Sequence, residues 1–299
     1  MALLDGKIAV ITGSTRGFGL SMAQEFARQG AALVVSSRSA GAVAAAVDDL
    51  RLAGAQASGL ACDVSDLAQV QALAMHALQT FGALDIWVNN AGLSAPYGPT
   101  IHQQPERFVQ VTQANVLGAY HGSLVAMRHF LDRRGGKLIN ILGRGERGPQ
   151  PMQNAYAASK AWIKSFTLAL ADEYKDSGVG VYAFSPGMMD TEMLLDVEVV
   201  RGFEGRLKSF KTVVQVLSQP PQAPAGQAAW LASAATDGRT GLVLRSLTAR
   251  WLAGHLLRLG WDRLRGRPAR PLDIQIRAVE AAYPLAHTAT KEVENETSI

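Results

Sequence analysis

Lys7-Ile-Ala-Val-Ile-Thr-Gly-Ser-Thr-Arg-Gly-Phe-Gly19 is the stretch that decides the fold of this 299-residue chain. It begins as a short apolar run typical of a buried parallel strand, and an amphipathic pattern through Leu20 and Phe26 then indicates a helix. Glycines between a strand and a helix let the backbone turn tightly and approach a pyrophosphate, which the N–H groups of the helix N-terminus bind. The spacing is G-x-x-x-G-x-G rather than the commoner G-x-G-x-x-G. We predict a dinucleotide site here, although a plain strand–helix connection would also use such glycines.

Further apolar runs follow at residues 32–36, 84–88, 137–142 and 179–184, and helical stretches separate them. This alternation is the βαβ rhythm of a parallel sheet covered by helices. At 48% apolar residues, the chain can bury a substantial core. The sequence therefore predicts one domain of α/β type.

Composition excludes several other classes. The single cysteine, Cys62, rules out an intrachain disulfide, and neither a secretory leader nor a membrane-spanning run is visible, so a cytoplasmic location is expected. The histidines are scattered, and no metal site is expected. Residues 245–277 carry eight arginines against two aspartates, a net +6 that leaves the rest of this +4 chain at −2. The basic charge is local, so no nucleic-acid partner is expected.

Tyr156 and Lys160 are the first candidates for chemistry. A helical spacing of four places both side chains on one face. A neighbouring ammonium favours the phenolate, so we expect Lys160 to lower the pKa of Tyr156 and to suit it for proton transfer beside a hydride transfer. Alone the pair is weak evidence, because tyrosine and lysine often fall at this spacing on ordinary helices.

Five motifs together resemble those of the short-chain dehydrogenase/reductase family. In order they are Thr12-Gly-x-x-x-Gly-x-Gly19, Asn89-Asn-Ala-Gly92, Asn115, Tyr156-x-x-x-Lys160 and Pro186-Gly-x-x-x-Thr191. The resemblance covers about residues 5–246. It implies a doubly wound Rossmann fold of about seven parallel strands, an NAD(P) cofactor, a small carbonyl or alcohol substrate, and a homodimer or homotetramer.

The resemblance also implies which residues bind the cofactor: Gly13, Ser14, Thr15, Arg16, Gly17, Phe18, Gly19, Arg38, Asp63, Val64, Asn90, Ala91, Gly92, Tyr156, Lys160, Pro186, Gly187 and Thr191. Asp63 and Val64 would contact the adenine, and Thr191 the nicotinamide carboxamide. The second strand ends at Arg38 without the acid that would repel a 2′-phosphate. Because Arg38 and Arg16 could pair with that phosphate, we predict NADP(H); two solvated surface arginines are the alternative.

In the resembled enzymes a tyrosine is the acid/base, a lysine holds the ribose and an asparagine supports a proton-relay water, which implies these roles for Tyr156, Lys160 and Asn115. The family's serine lies thirteen residues before the tyrosine, and Gly143 stands there. Glycine offers no side-chain donor, and losing one donor costs on the order of a hundred- to a thousandfold in rate. The residues expected to contact the substrate are Gly143, Arg144, Gln153, Met188 and Met193. Arg144 or Gln153 could substitute for the serine, unless their loop is merely solvated.

The end of the chain is unusually long for the family. We predict a domain at residues 1–246 with a substrate lid at about 188–221, and a helical C-terminal extension at 247–299. Within the extension we expect helices at 246–259 and 273–283 and a polar tail at 292–299. The extension could pack over the active site, enter a subunit interface or lie on an anionic membrane surface.

Two functions remain open from the sequence. The first is an NADPH-dependent oxidoreductase that interconverts a carbonyl and an alcohol, with Tyr156 as proton donor or acceptor. The second is an NADP(H)-binding sensor or scaffold with little turnover, which the glycine at position 143 would favour.

Overall fold

A computed structural model describes residues 2–265 and 272–283 of the chain. Its strands are β1 (Ile8–Thr12), β2 (Ala32–Ser37), β3 (Ala57–Ala61), β4 (Ile86–Asn89), β5 (Gly136–Ile141), β6 (Val179–Ser185), β7 (Asp196–Val200), β8 (Leu242–Arg245) and β9 (Gln275–Val279). Seven form one parallel sheet in the order β3-β2-β1-β4-β5-β6-β8. The doubly wound Rossmann sheet is therefore confirmed.

Helices cover both faces of this sheet. They are α1 (Gly17–Arg28), α2 (Ala40–Leu52), α3 (Leu67–Phe81), α4 (Pro105–Val111), α5 (Gly118–Arg133), α6 (Asn154–Glu173), α7 (Glu192–Leu195), α8 (Phe210–Leu217), α9 (Gln222–Ala232) and α10 (Ala249–Leu264). Successive residues of β1 enter different cores: Ala9 and Ile11 pack with α1 and α9, whereas Val10 packs with α3 and α5. Burial on both faces explains why the strand sequences are continuous apolar runs.

The strand order reverses between β1 and β4. In sheets of this kind the carboxyl ends of the strands separate at the reversal and leave a crevice for a ligand. The glycine turn after β1 and the segment after β4 both open into that position.

A small second sheet pairs β7 with β9 in parallel. The helix predicted over residues 273–283 is therefore wrong, because residues 275–279 form β9 instead. Ile274 is buried against β7, and the open edge of β7 supplies the backbone partners that override the local helical pattern. The helix predicted at 246–259 is present as α10, and the predicted tail at 292–299 lies outside the described residues.

The sequence led us to expect no membrane span, no metal site and no disulfide. Among the described residues no helix has the length and apolar character needed to cross a membrane. No group of three potential metal ligands occurs within the same residues. Cys62 is a buried free thiol whose pKa burial raises to about 11, so it is an inert core side chain.

Candidate active site

The glycine turn after β1 is shaped so tightly that only glycine fits at its key positions. Gly13 and Gly17 have φ angles of +63° and +55°. A Cβ atom on Gly13 would lie 2.8 Å from the Cα atom of Ala91, and one on Gly19 would collide with the carbonyl oxygen of Gly13. The N-terminus of α1 carries no side-chain cap, whereas Ser39 caps α2 and Asp66 caps α3. The turn therefore fits the pyrophosphate of a dinucleotide, which would bind the uncapped N–H groups.

Hydrogen bonds join this turn to the segment after β4. Asn90 Nδ2 donates to the carbonyl oxygens of Thr12 and Gly13 at 2.9 and 3.0 Å. Thr12 Oγ1 accepts the backbone N–H groups of Asn90 and Ala91 at 3.0 and 3.1 Å. Thr12 is the first residue of the glycine motif, but its role as an acceptor for these N–H groups was not predicted from the sequence. The two halves of the crevice are thus held in a fixed relation.

Some of the residues predicted to bind the cofactor use their side chains for contacts within the protein. Ser14 Oγ is buried, donates to the carbonyl oxygen of Ile11 and accepts the N–H of Ser36, so it fastens the turn to β2. Phe18 lies in the core, where its ring centre is 6.1 Å from that of Phe184. Thr15, between these residues, is partly exposed. The side chains of Ser14 and Phe18 thus shape the turn, while its backbone faces the crevice.

The residues expected around the adenosine lie at the ends of β2 and β3. Arg38 is exposed and has no ion-pair partner within the described part of the chain. Arg16 pairs with Glu192 of α7, which ties the glycine turn to the lid. Asp63 accepts the N–H and hydroxyl of Ser65 through Oδ1, at 2.9 and 2.7 Å. Val64 packs against Gly118 at the start of α5.

Asn115 sits in a π-helical turn, Thr112–Leu117, between α4 and α5. Its side chain is buried, and Nδ2 donates to the carbonyl oxygen of Leu93 at 3.0 Å and to Ser159 Oγ at 2.9 Å. Its Oδ1 accepts the N–H of Leu93 at 2.7 Å and faces Gly92. Such π turns are frequent at functional sites because they re-aim a side chain. Asn115 therefore connects the crevice floor to the helix that carries Tyr156.

Tyr156 and Lys160 share one face of α6, as their spacing predicted. Lys160 Nζ lies 5.6 Å from the centre of the Tyr156 ring and donates to the carbonyl oxygen of Ile141 at 3.0 Å. Burial lowers the pKa of Lys160 to about 8. Burial, together with the nearby Tyr97 phenol, raises the pKa of Tyr156 to about 12. The pKa of Tyr156 is thus raised and not lowered as expected from the sequence, because burial removes water from around the phenolate.

Position 143 lies directly beside the Tyr156 phenol. A Cβ atom on Gly143 would collide with Tyr156 Oη and lie 3.1 Å from Cζ and 3.4 Å from Lys160 Cγ. The position at which the resembled family has its serine therefore lies next to the Tyr156 hydroxyl. Glycine at position 143 therefore has two effects. It lacks a side-chain donor, and it leaves room for the Tyr156 phenol.

The loop after Gly143 is anchored rather than freely solvated. Glu146 is buried and accepts two hydrogen bonds from Arg245, at 2.8 and 3.0 Å, while Lys164 lies 3.1 Å away. The Arg245 guanidinium is the main reason that the pKa of Glu146 is lowered. The predicted substrate contacts differ in place: Arg144 is exposed and donates to Gln150 at 2.6 Å, whereas Gln153 is buried at the start of α6. The Glu146–Arg245 pair could not be predicted from the sequence, because 99 residues separate its members.

The segment after β6 forms the other wall of the crevice. Gly187 has a φ of +82° and packs against Leu247, and the carbonyl oxygen of Pro186 accepts Gln219 Nε2 at 3.1 Å. A Cβ atom on Gly17 would lie 3.6 Å from the Thr191 side chain, so Thr191 lies next to the glycine turn. Met188 packs within the lid and Met193 is exposed.

Comparisons with known proteins match this geometry. A family model described as short chain dehydrogenase matches residues 7–199. The chain is 36% identical over 246 residues to the 3beta-hydroxysteroid dehydrogenase 1 of Eggerthella lenta, covering 81% of this chain and 92% of that protein. A gluconate 5-dehydrogenase from Burkholderia cenocepacia, solved with NADP and tartrate, is 28% identical with a TM-score of 0.73 and coverage of 84% and 96%. A 3-ketoacyl-(acyl-carrier-protein) reductase from Brucella melitensis, complexed with NADH, is 30% identical with a TM-score of 0.74 and coverage of 83% and 99%.

Proposed function

Because this chain belongs to the short-chain dehydrogenase family, we propose that it is an NADPH-dependent oxidoreductase that interconverts a carbonyl and an alcohol. The observation that carries this proposal is the partly buried phenol of Tyr156, which lies against Gly143 on the same helical face as Lys160. With a pKa of about 12, the phenol is protonated at neutral pH and therefore carries the proton that the reduction needs.

In the proposed reduction Tyr156 Oη donates its proton to the substrate oxygen as the carbonyl carbon gains a hydride. The bound nicotinamide would supply that hydride. The phenolate left behind is stabilised by Lys160, which is mostly protonated at pH 7 because its pKa is about 8. Asn115 holds the floor of the crevice to α6 through Ser159 and so keeps Tyr156 in place. The reverse reaction uses the same groups, with Tyr156 accepting the proton.

The preference for NADPH rests on charge at the end of β2. No acidic side chain follows Ser37 there, and Arg38 is exposed and available to a 2′-phosphate. Arg16, which the sequence suggested as a second partner, is held by Glu192 and would have to exchange that exposed carboxylate for the phosphate. The relatives do not decide this point, since one was solved with NADP and another with NADH.

We also propose a homo-oligomer, built through an aromatic surface on α5 and α6. Tyr120, Trp162 and Phe166 form a continuous ring cluster in which Trp162 and Phe166 stack at 4.8 Å. Tyr120 and Trp162 are exposed, and large exposed apolar surfaces usually mark contacts with another protein. Size-exclusion chromatography with light scattering measures the mass; a monomer at micromolar concentration contradicts this proposal.

The activity is tested by following NADPH and NADH oxidation with a panel of ketones, aldehydes and keto acids, alongside direct measurement of cofactor binding. We expect turnover of at least one carbonyl class and a higher kcat/KM with NADPH than with NADH. The second candidate, a cofactor-binding protein without turnover, is favoured by the lack of a hydroxyl at Gly143. Tight NADPH binding with no consumption across the panel would replace the first candidate by the second.

A further inference from the structure

The C-terminal extension completes a small sheet with the segment that follows β6. Its strand β9 pairs with β7 of the lid in a parallel register that runs from Asp196 opposite Gln275 to Val200 opposite Val279. A salt bridge lies at each end of the β7–β9 pairing. Arg277 donates two hydrogen bonds of 2.8 Å to Asp196, and Arg201 lies 2.9 Å from Glu280. The lid strand is thereby fixed along one edge.

An apolar cluster beneath this sheet holds it to the lid helices. Ile274, which precedes β9, is buried with Val197 and Val199 of β7 and with Phe210 and Val214 of α8. The backbone N–H of Ala282 donates to the carbonyl oxygen of His102 at 2.9 Å, so the extension also contacts the segment before α4. The extension therefore packs against the segment predicted to be the substrate lid.

The other edge of β7 pairs with Tyr97. The N–H of Tyr97 donates to the carbonyl oxygen of Glu198, and its carbonyl oxygen accepts the N–H of Val200, both at 2.8 Å. Its ring meets Phe210 edge to face with centres 5.7 Å apart. The next N–H, that of Gly98, donates to the carbonyl oxygen of Met152 at 2.9 Å. Tyr97 is thus held between the lid and the turn that leads into α6.

The Tyr97 hydroxyl has no hydrogen-bond partner among residues 2–265 and 272–283. Burial raises the pKa of Tyr97, and the positive charge of Arg144, next to Gly143, acts on it in the opposite direction. Tyr97 in turn contributes to the raised pKa of Tyr156. Tyr97 and Tyr156 are therefore close enough to interact electrostatically. The partly buried Tyr97 hydroxyl is a donor without an acceptor among the described residues.

We propose that Tyr97 Oη donates a hydrogen bond to the carbonyl oxygen of the substrate, the contact for which Gly143 offers no side chain, and that β9 holds Tyr97 in position through β7. This inference rests on the carbonyl reduction proposed above. Two phenols then share the substrate oxygen: Tyr156 transfers its proton, and Tyr97 stabilises the negative charge that develops.

The test is Tyr97→Phe, which removes the hydroxyl but retains the ring against Phe210 and the backbone pairing with β7. Tyr174→Phe is the matched control, since Tyr174 is exposed at the end of α6. With the best carbonyl substrate we expect kcat/KM of Tyr97→Phe to fall about 100- to 1000-fold, mostly in kcat, while the melting temperature and the NADPH dissociation constant are unchanged. Tyr174→Phe should match the wild type.

A second measurement follows the proximity of the two phenols without needing turnover. Titration of ¹³Cζ-labelled tyrosines by NMR should show a lower pKa for Tyr156 in Tyr97→Phe than in the wild type. Wild-type kcat/KM in Tyr97→Phe would overturn the inference while leaving the reductase proposal intact, and so would an unchanged Tyr156 titration. Absence of turnover by the wild type itself would overturn both.

Discussion

Gly143 and Tyr156 occupy adjoining space, so the residue type at one position limits what the other can do. The sequence alone identifies the missing serine, but it does not show that the Tyr156 hydroxyl rests where a side chain at 143 would begin. Restoring a serine therefore does not simply restore a donor. It forces the phenol, or the loop that carries residue 143, to move.

Gly143→Ser should lower turnover, because its Cβ atom displaces the Tyr156 hydroxyl from its position beside Lys160. We expect at least a tenfold fall in kcat, about 1.4 kcal/mol of transition-state stabilisation, with NADPH binding and fold retained. Steady-state kinetics and circular dichroism provide the measurements.

Gly143→Ala is the matched control for this change. It adds the same Cβ atom without a hydroxyl and should be at least as slow as the serine variant. A kcat for Gly143→Ser above that of the wild type would show that the phenol adapts and that the missing donor was the limiting feature.

The identities of Tyr156, Lys160, Asn115 and position 143 could all be read from the sequence, because fixed spacings and ordered motifs mark them. The directions of their pKa values could not, since these depend on how completely the folded chain excludes water around each group. Tyr97 also escaped prediction. It lies in a loop without a periodic pattern, and only its pairing with β7 brings it to the crevice.

Among the elements, the strands of the main sheet were the most predictable and β9 the least. The apolar runs of β1, β2, β4, β5 and β6 are explained by burial on both faces. By contrast, β9 becomes a strand through pairing with β7, about eighty residues earlier in the chain, as the 81-residue separation of Arg277 and Asp196 shows. No local sequence pattern predicts a partner strand that is so distant in the chain.

Ile274→Ala should loosen the attachment of the extension to the lid. Removing a buried isoleucine side chain typically costs about 2–5 kcal/mol, and here that loss falls on the small cluster beneath β7 and β9. We expect faster tryptic cleavage at Lys208 and Lys211, which are exposed next to α8, and a higher KM for the carbonyl substrate. Limited proteolysis with mass spectrometry follows the cleavage.

Leu252→Ala on α10 is the control, because Leu252 is exposed and makes no part of this cluster. It should leave both the cleavage rate and KM at wild-type values. Equal cleavage of Ile274→Ala and the wild type would mean that the lid is held without the extension.

At the scale of the whole molecule, the buried Lys160 ties global stability to pH. Its pKa is about 8 in the folded protein against a usual value of 10.5. Between these values the unfolded chain binds more protons than the folded one, so the free energy of unfolding should rise with pH. Above pH 10 the raised pKa of Tyr156 acts with the opposite sign, since the folded state then holds the extra proton.

We therefore predict that the wild type gains on the order of 3 kcal/mol relative to Lys160→Met as the pH rises from 7.5 to 10. Urea unfolding followed by tryptophan fluorescence measures this difference. Lys211→Met, which removes an exposed lysine, is the control. Its free energy of unfolding should rise with pH as that of the wild type does. A pH-independent difference between the wild type and Lys160→Met would contradict the burial of a titrating ammonium beside Tyr156.

The central claim is that one phenol supplies the proton for carbonyl reduction, and single-turnover kinetics of Tyr156→Phe test it most directly. NADPH oxidation is followed after rapid mixing with the best carbonyl substrate, with Tyr174→Phe on the exposed end of α6 as the control. We predict that Tyr156→Phe loses about 100- to 10,000-fold in the rate of NADPH oxidation while still binding NADPH. A rate equal to that of the wild type would contradict the assignment of Tyr156 as proton donor.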